Sequence, residues 1–125
     1  MTFLPGHLGA WTAALLLSAG PAKKEQALKQ QAERLAQEAR ALAKTEGCEQ
    51  QEECAVAGFG NKACGGPREY IAYCSRTTDV PALESKLAAL QQAEQSWQRE
   101  AGVMSNCGLT RKPQPRLVDG VCRIR

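Results

Sequence analysis

Leucine and alanine recur at helical spacing near the start of the chain, in a background of Glu, Gln and Lys. The members of this apolar stripe are Leu28, Ala32, Leu35, Ala39 and Leu42. All of these residue types favour helix, and Gly47 is typical of a helix end. We therefore predict an amphipathic helix over residues 23–47 that covers the edge of a core. The leucines also repeat every seven residues, so a coiled coil is the alternative interpretation.

Two short runs of aromatic and β-branched residues flank a glycine-rich segment. The runs are CAVAGF at residues 54–59 and EYIAYC at residues 69–74, and GNKACGGP lies between them. This arrangement predicts a β-hairpin with a long loop. The numbers of paired residues in such a hairpin sum to a constant. A register that pairs Cys54 with Cys74 therefore places Cys64 at the middle of the loop.

A second apolar stripe, stronger than the first, begins after Asp79. Its members are Leu83, Leu87, Leu90 and Trp97, with Ala93 and Ala101 nearby. The Asp79 side chain can accept hydrogen bonds from the free amides of a first turn, where Pro81 is also tolerated. Gly102 is the expected end. The pattern predicts a second amphipathic helix.

The last segment, PRLVDGVCRIR, contains a strong hairpin signal. Asp119-Gly120 suits a two-residue turn, because glycine tolerates the positive φ that a type I′ turn requires. Residues 117–118 and 121–122 are the predicted strands. The element order α-β-β-α-β-β predicts an α+β domain with a small antiparallel sheet.

The first 22 residues differ in composition from the rest, since they contain no Lys, Arg, Asp or Glu. Their apolar run, residues 8–17, matches the h-region of a secretory signal peptide and is too short to span a bilayer. We predict a signal peptide over residues 1–22 and one exported domain, periplasmic or secreted, over residues 23–125. No membrane span is expected in the mature chain. Because the leader has His7 but no Lys or Arg, a short apolar helix packed on the domain is the alternative.

All six cysteines lie in the predicted mature chain: Cys48, Cys54, Cys64, Cys74, Cys107 and Cys122. An even number in a short exported domain predicts disulfides. Zinc sites usually bring ligand pairs two to four residues apart, and no such pair occurs here, so no metal or other cofactor is expected. Six cysteines allow fifteen pairings. The hairpin register favours Cys54–Cys74, and Cys64–Cys107 and Cys48–Cys122 complete the set.

The charged residues give little sign of catalysis or nucleic-acid binding. Net charge is +3, and the basic residues of the last fifteen positions are Arg111, Lys112, Arg116, Arg123 and Arg125. Without interleaved aromatics this tail does not predict a nucleic-acid partner.

The predicted mature chain has no histidine, which excludes the usual Ser-His-Asp and Cys-His sites. Most acids are expected on polar helix faces, namely Glu25, Glu33, Glu38, Glu84, Glu94 and Glu100. We predict that the protein is not an enzyme.

Three motifs resemble a family of small, uncharacterised exported bacterial proteins that are periplasmic or lipid-anchored. They are CGGPREYIAYCSRTTD, GVMSNC after the second helix, and the final P-x-L-V-D-G-V-C, within residues 48–122. Members of this family carry a Cys-Gly-Gly-Pro motif, a Ser-x-Cys motif and a final Cys-x4-Cys pair. Here Leu117 replaces the first cysteine of that pair, and Cys74 stands where the family has serine. The resemblance implies a rerouted bridge and no particular activity.

These observations favour a non-catalytic exported module that binds a protein or associates with the cell envelope. The candidate binding loop contains Gly65, Gly66, Pro67 and Arg68 beside Cys64, because a preorganised loop loses little entropy on binding. Inhibition of an extracellular or periplasmic enzyme is the narrower version, and a purely structural loop is the alternative. An oligomerising protein that uses residues 23–47 and a weak binder of anionic surfaces are the remaining hypotheses.

Overall fold

Two long helices and two β-hairpins alternate along the chain in the computed structural model, which describes residues 21–104, 107–108 and 110–124. The elements are α1 (Pro21–Leu42), β1 (Cys54–Phe59), β2 (Glu69–Cys74), α2 (Val80–Ala101), β3 (Pro115–Val118) and β4 (Val121–Ile124), with a short 3-10 turn at Gln51–Glu53. The predicted order and the α+β class are confirmed. The strands, however, form two separate antiparallel sheets, β1–β2 and β3–β4, instead of one.

The predicted signal peptide lies outside the described residues except for Pro21 and Ala22, which begin α1. Within residues 21–104 and the described C-terminal segments, no helix is long and apolar enough to cross a membrane.

The two helices pack against each other in antiparallel orientation. Lys24 near the start of α1 pairs with Glu100 near the end of α2 at 3.6 Å, and Glu38 pairs with Lys86 at 2.9 Å at the opposite ends. Helix α2 has the predicted boundaries, because the Asp79 side chain accepts from the Ala82 amide at 3.2 Å and Gly102 adopts φ 67°.

Helix α1 ends at Leu42, five residues before the predicted end at Gly47, because the following residues are bonded in extended form. We call residues 44–47 the linking segment. The Lys44 carbonyl accepts from the Cys74 amide at 2.6 Å, and the Thr45 carbonyl accepts from the Cys122 amide at 2.8 Å. Gly47 has φ 96° at the end of this segment, where its amide donates to the Gly120 carbonyl at 3.1 Å and a Cβ would lie 2.6 Å from Thr77 Cγ2. Glycine is therefore required here by its positive φ and by the close approach of Thr77, and not as a helix cap.

The β1–β2 hairpin has the predicted strands and the predicted register, with Cys54 opposite Cys74. Its two faces have different neighbours because side chains alternate along a strand. One face joins the helices in the main core, whose buried members are Ala39, Phe59, Ile71, Tyr73, Leu83 and Leu90. The other face joins a second core formed by Cys48, Cys54, Cys74 and Cys122, with Ala72 and Leu117 packed against it.

The three disulfides are Cys48–Cys74, Cys54–Cys122 and Cys64–Cys107, with Cα–Cα distances of 5.7, 5.5 and 5.4 Å. The predicted Cys64–Cys107 bridge is present. The predicted Cys54–Cys74 and Cys48–Cys122 bridges are wrong, although Cys54 and Cys74 lie opposite each other. The chain after α1 brings Cys48 to Cys74, and the β3–β4 hairpin brings Cys122 to Cys54. Each opposed cysteine therefore bonds to a partner from outside the hairpin, and together the bridges join three chain segments.

Candidate binding site at the Cys64 loop

The loop between β1 and β2, which we call the Cys64 loop, consists of residues 60–68 and closes on itself. The Lys62 amide donates to the Gly66 carbonyl at 2.9 Å, and the Gly65 amide donates to the Lys62 carbonyl at 2.8 Å. Gly65 and Gly66 have φ 110° and 83°, and a Cβ at either position would meet no atom within 4 Å. The Gly-Gly tip therefore needs glycine for its backbone and projects away from the described part of the protein.

Three contacts fix the loop below this tip. The Cys64–Cys107 disulfide joins it to the segment after α2. The Lys62 ammonium donates to the Gly108 carbonyl and to Thr110 Oγ1 in the same segment. Pro67 packs on β1 so closely that a Cβ on Gly58 would lie 3.1 Å from the Pro67 Cβ. The base of the loop is thus held on both sides of the tip.

Arg68, which we predicted as part of the binding surface, instead belongs mainly to a structural ion pair. Its guanidinium donates from Nε and Nη2 to the Glu94 carboxylate at 2.9–3.1 Å. Glu94 Oε1 also accepts from the Asn61 amide at 2.7 Å. These hydrogen bonds to Glu94 raise the pKa of Arg68. Gly60, with φ 77°, makes room for the pair, because a Cβ there would lie 2.5 Å from Arg68 Nε.

The ion pair extends to helix α1 around one buried ring. Phe59 is fully buried, with the guanidinium of Arg40 4.1 Å and that of Arg68 5.2 Å from its ring centroid. Both arginines also bond to the carboxylate of Glu69. The network ties α1, the hairpin and α2 together beneath the Cys64 loop, so the loop stands on a cross-linked base.

Asn61 adds a second polar link between the loop and α2. Gln98 Nε2 donates to the Asn61 carbonyl at 2.9 Å, which turns Gln98 Oε1 toward Asn61 Nδ2, also at 2.9 Å. The orientation of both amides follows from this pair. Asn61 is 4% exposed, and its Oδ1 has no hydrogen-bond partner among the described residues.

A shallow cleft of about 250 Å³ lies between the loop and the end of α2. Its polar lining includes Asn61, Lys62, Gly65, Gln95, Gln98 and Arg99. Pockets for small molecules usually occupy about 300–1,000 Å³ and are mostly apolar. This cleft is smaller and more polar, so it suits a side chain of a protein partner better than an enclosed small ligand.

The cysteines offer neither a free thiolate nor an open metal site. All six cysteines are in disulfides, and a disulfide sulfur is not a thiolate nucleophile. The sulfurs of Cys48, Cys74 and Cys122 lie within 4.8 Å of one another. Each of them is bonded in a disulfide, so these sulfurs are not thiolate ligands for a metal ion. Burial raises the pKa of Tyr73, with a smaller contribution from Glu84. This tyrosine belongs to the main core, which gives it a structural role.

The structure separates the predicted site residues into two groups. Gly65 and Gly66 form the open tip, while Pro67 and Arg68 anchor it. The prediction that Glu94 lies on a polar helix face is wrong, because Glu94 is buried. The sequence contained a sign of this burial, since Glu94 continues the apolar stripe of Leu87 and Leu90 at helical spacing. A carboxylate on an apolar stripe requires a buried partner.

Comparison with known proteins gives no assignment. No family model matches the chain, and neither a curated protein nor a solved structure shows significant similarity to it. The resemblance to small exported bacterial proteins therefore stays a prediction.

Proposed function

We propose that this protein is a small, non-catalytic exported module that binds a protein partner through the tip of the Cys64 loop. The supporting observation is the contrast within the loop: a Cβ added at Gly65 or Gly66 would meet open space, while disulfide, lysine and ion-pair contacts hold the base of the loop. A loop fixed in this way loses little conformational entropy when a partner binds. The exposed peptide groups supply the polar contacts.

Export is supported by the disulfides. Three bridges among six cysteines are consistent with an oxidising compartment, since disulfides are rare in the cytosol. The periplasm or the extracellular medium is the proposed location. The absence of histidine from residues 23–125 supports the non-catalytic part of the proposal.

Inhibition of an extracellular or periplasmic enzyme is the narrower form of this proposal, because many enzymes accept a rigid loop in their clefts. Oligomerisation through the first helix has less support. Ala32 and Ala39 on its stripe are buried, and Leu35 and Leu42 pack against the protein's own core. The same stripe is therefore not free to form a coiled coil, and light scattering at high concentration should show a monomer.

A capture experiment with two matched variants tests the loop. Gly66→Arg adds a bulky cation at the tip, and Gly120→Arg adds the same side chain at φ 76° in the β3–β4 turn, where a Cβ meets only ordinary contacts. Tagged proteins are exposed to the extracellular or periplasmic fraction of the source organism. We expect the partner recovered by the wild type and by Gly120→Arg to be lost with Gly66→Arg. Equal recovery by both variants would contradict binding through the tip.

A further inference from the structure

The backbone groups of β2 alternate between its partner strand and its open edge. The Ser75 amide donates to the Glu53 carbonyl at 2.8 Å, just beyond the end of the β1–β2 ladder. Because inward-facing and outward-facing residues alternate in an antiparallel pair, the N–H and C=O groups of Tyr70, Ala72 and Cys74 point away from β1. The Cys74 amide confirms this direction, since it donates to Lys44 of the linking segment.

Strand β4 has the same arrangement on the other side of the linking segment. The Cys122 amide donates to the Thr45 carbonyl and not to β3, its ladder partner. By the same alternation the backbone groups of Ile124 also point away from β3. The edges of β2 and β4 therefore both turn toward the linking segment, which bonds to one end of each.

Beyond the linking segment these two edges border an open groove. The chain leaves this position at Lys44, because α1 ends at Leu42. The groove that continues from there has a volume of about 480 Å³, and its lining includes Arg40, Tyr70, Ala72, Cys122, Arg123 and Ile124. Within the described residues, the outward groups of Tyr70 and Ala72 have no hydrogen-bond partner. The groove thus has the position of an additional strand that none of the described residues supplies.

The charges of the groove indicate what such a strand carries. Among the residues that the structure describes, Arg40 and Arg123 are the charged members of its lining. Arg40 is already bonded to Glu69, whereas Arg123 forms no ion pair within the described part of the chain. A segment with an acidic side chain opposite Arg123 is therefore electrostatically complementary.

The geometry points to this groove as a second binding site, which accepts an extended acidic segment of a partner protein as an added β-strand. The main-chain bonds to Tyr70 and Ala72 provide affinity, and the contact with Arg123 selects the acidic residue. This surface does not include the Cys64 loop. Either binding site can therefore fail in experiment without the other.

The test uses the full chain and an immobilised library of peptides of about six residues, a usual strand length, in which Val or Thr alternates with random residues. We expect the selected peptides to share an acidic residue at one position. Amide hydrogen exchange followed by NMR then locates the contact. The Tyr70 and Ala72 amides should exchange fast in the free protein and at least about tenfold more slowly with peptide. The Ile71 and Tyr73 amides, which face β1, should change little.

Two pairs of variants separate strand addition from other binding. Ala72→Pro removes an outward amide, and Val56→Pro places the same change at the opposed position of β1, whose amide faces the other edge. Arg123→Glu reverses the groove charge, and Arg111→Glu is the matched change outside it. We expect peptide affinity to fall about fivefold or more with Ala72→Pro and with Arg123→Glu. The same loss is expected when the peptide amides that bond to β2 are N-methylated. Circular dichroism verifies that each variant is folded.

The inference is overturned if no library peptide slows amide exchange at Tyr70 and Ala72, or if both members of a variant pair bind the peptide alike. Protection of these amides in the free chain would show that the chain fills its own groove. A dimer that Ala72→Pro dissociates would assign the groove to a second copy of the chain. Binding that Gly66→Arg leaves unchanged distinguishes this site from the Cys64 loop.

Discussion

Replacing Glu94 by glutamine removes the negative charge of the buried ion pair with Arg68 while it preserves the shape of the side chain. The glutamine oxygen can still accept from the Asn61 amide, which bonds to Glu94 at 2.7 Å. Its NH₂ group would then face the guanidinium, so that one donor opposes another. We expect the variant to fold with lower stability.

The magnitude follows from the exposure of the two partners. The Glu94 side chain is 7% exposed and the Arg68 side chain 37%. Removing one partner of a fully buried pair costs about 3–5 kcal/mol, but water can solvate the exposed part of Arg68 and reduces this loss. We therefore expect unfolding free energy to fall by about 2 kcal/mol, which in a domain of this size lowers Tm by roughly 10 °C.

Urea unfolding at neutral pH, followed by circular dichroism, measures the effect. Glu38→Gln is the matched control, because Glu38 pairs with Lys86 at 2.9 Å with 46% of its side chain exposed. Such a surface pair contributes less than about 1 kcal/mol. Equal losses in the two variants would refute the claim that Glu94 and Arg68 form a stabilising buried pair. A double-mutant cycle with Arg68→Met measures their coupling directly.

Three further predictions concern single features of the fold. Backbone N–H groups of Glu49 and Gln50 lower the pKa of Glu53 below its ordinary value of 4.5. The Glu53 carboxylate therefore contributes its full stabilisation of the fold above pH 4.5, and this contribution is lost as pH falls through the lowered pKa. Glu53→Gln should flatten the acid limb of a stability–pH curve, and an unchanged limb would argue against this assignment. Gly60→Ala should destabilise the protein by about 2 kcal/mol or more in thermal unfolding, because φ 77° is strained for alanine and the ion pair leaves no space for a Cβ. Gly65→Ala at the open tip has only the backbone strain and should destabilise by about 1 kcal/mol. Similar losses would contradict the close packing at Gly60. Replacing both Cys64 and Cys107 by serine should lower unfolding free energy by about 2–4 kcal/mol in urea, and an unchanged midpoint would show that this bridge does not stabilise the fold.

The sequence predicted features that are determined by local patterns. The strands Cys54–Phe59 and Glu69–Cys74 and their register follow from alternating side chains between turn signals. Helix α2 follows from its cap at Asp79 and its stop at Gly102. The open Gly65-Gly66 tip follows from glycines in a long hairpin loop. Each of these features depends on residues close together in the chain.

Features that depend on packing between distant segments were predicted poorly. The end of α1 is determined by bonds from Lys44 and Thr45 to β2 and β4, which no local pattern shows. The disulfide partners depend on how the β3–β4 hairpin packs on β1–β2. Because the sulfurs of Cys48, Cys74 and Cys122 lie within 4.8 Å of one another, small differences in packing decide the pairing, and spacing along the chain cannot.

The same limit applies to the candidate site. Arg68 is next to the Gly-Gly tip in sequence, and proximity suggested that it contacts a partner. Its guanidinium instead reaches Glu94 across the fold, which a reading of either segment alone does not predict. The position of Glu94 on the apolar stripe of α2 indicates a buried carboxylate, but it does not identify Arg68 as the partner.

A disulfide map of the protein recovered from an oxidising compartment, with its mature N-terminus, tests the central claim most directly. Proteolysis without reduction and mass spectrometry should give linked peptides for Cys48–Cys74, Cys54–Cys122 and Cys64–Cys107. It should also give an N-terminus near residue 23. Free thiols at Cys64 and Cys107 would contradict the exported module with a loop fixed at its base, and a Cys54–Cys74 peptide would contradict the packing of its two sheets.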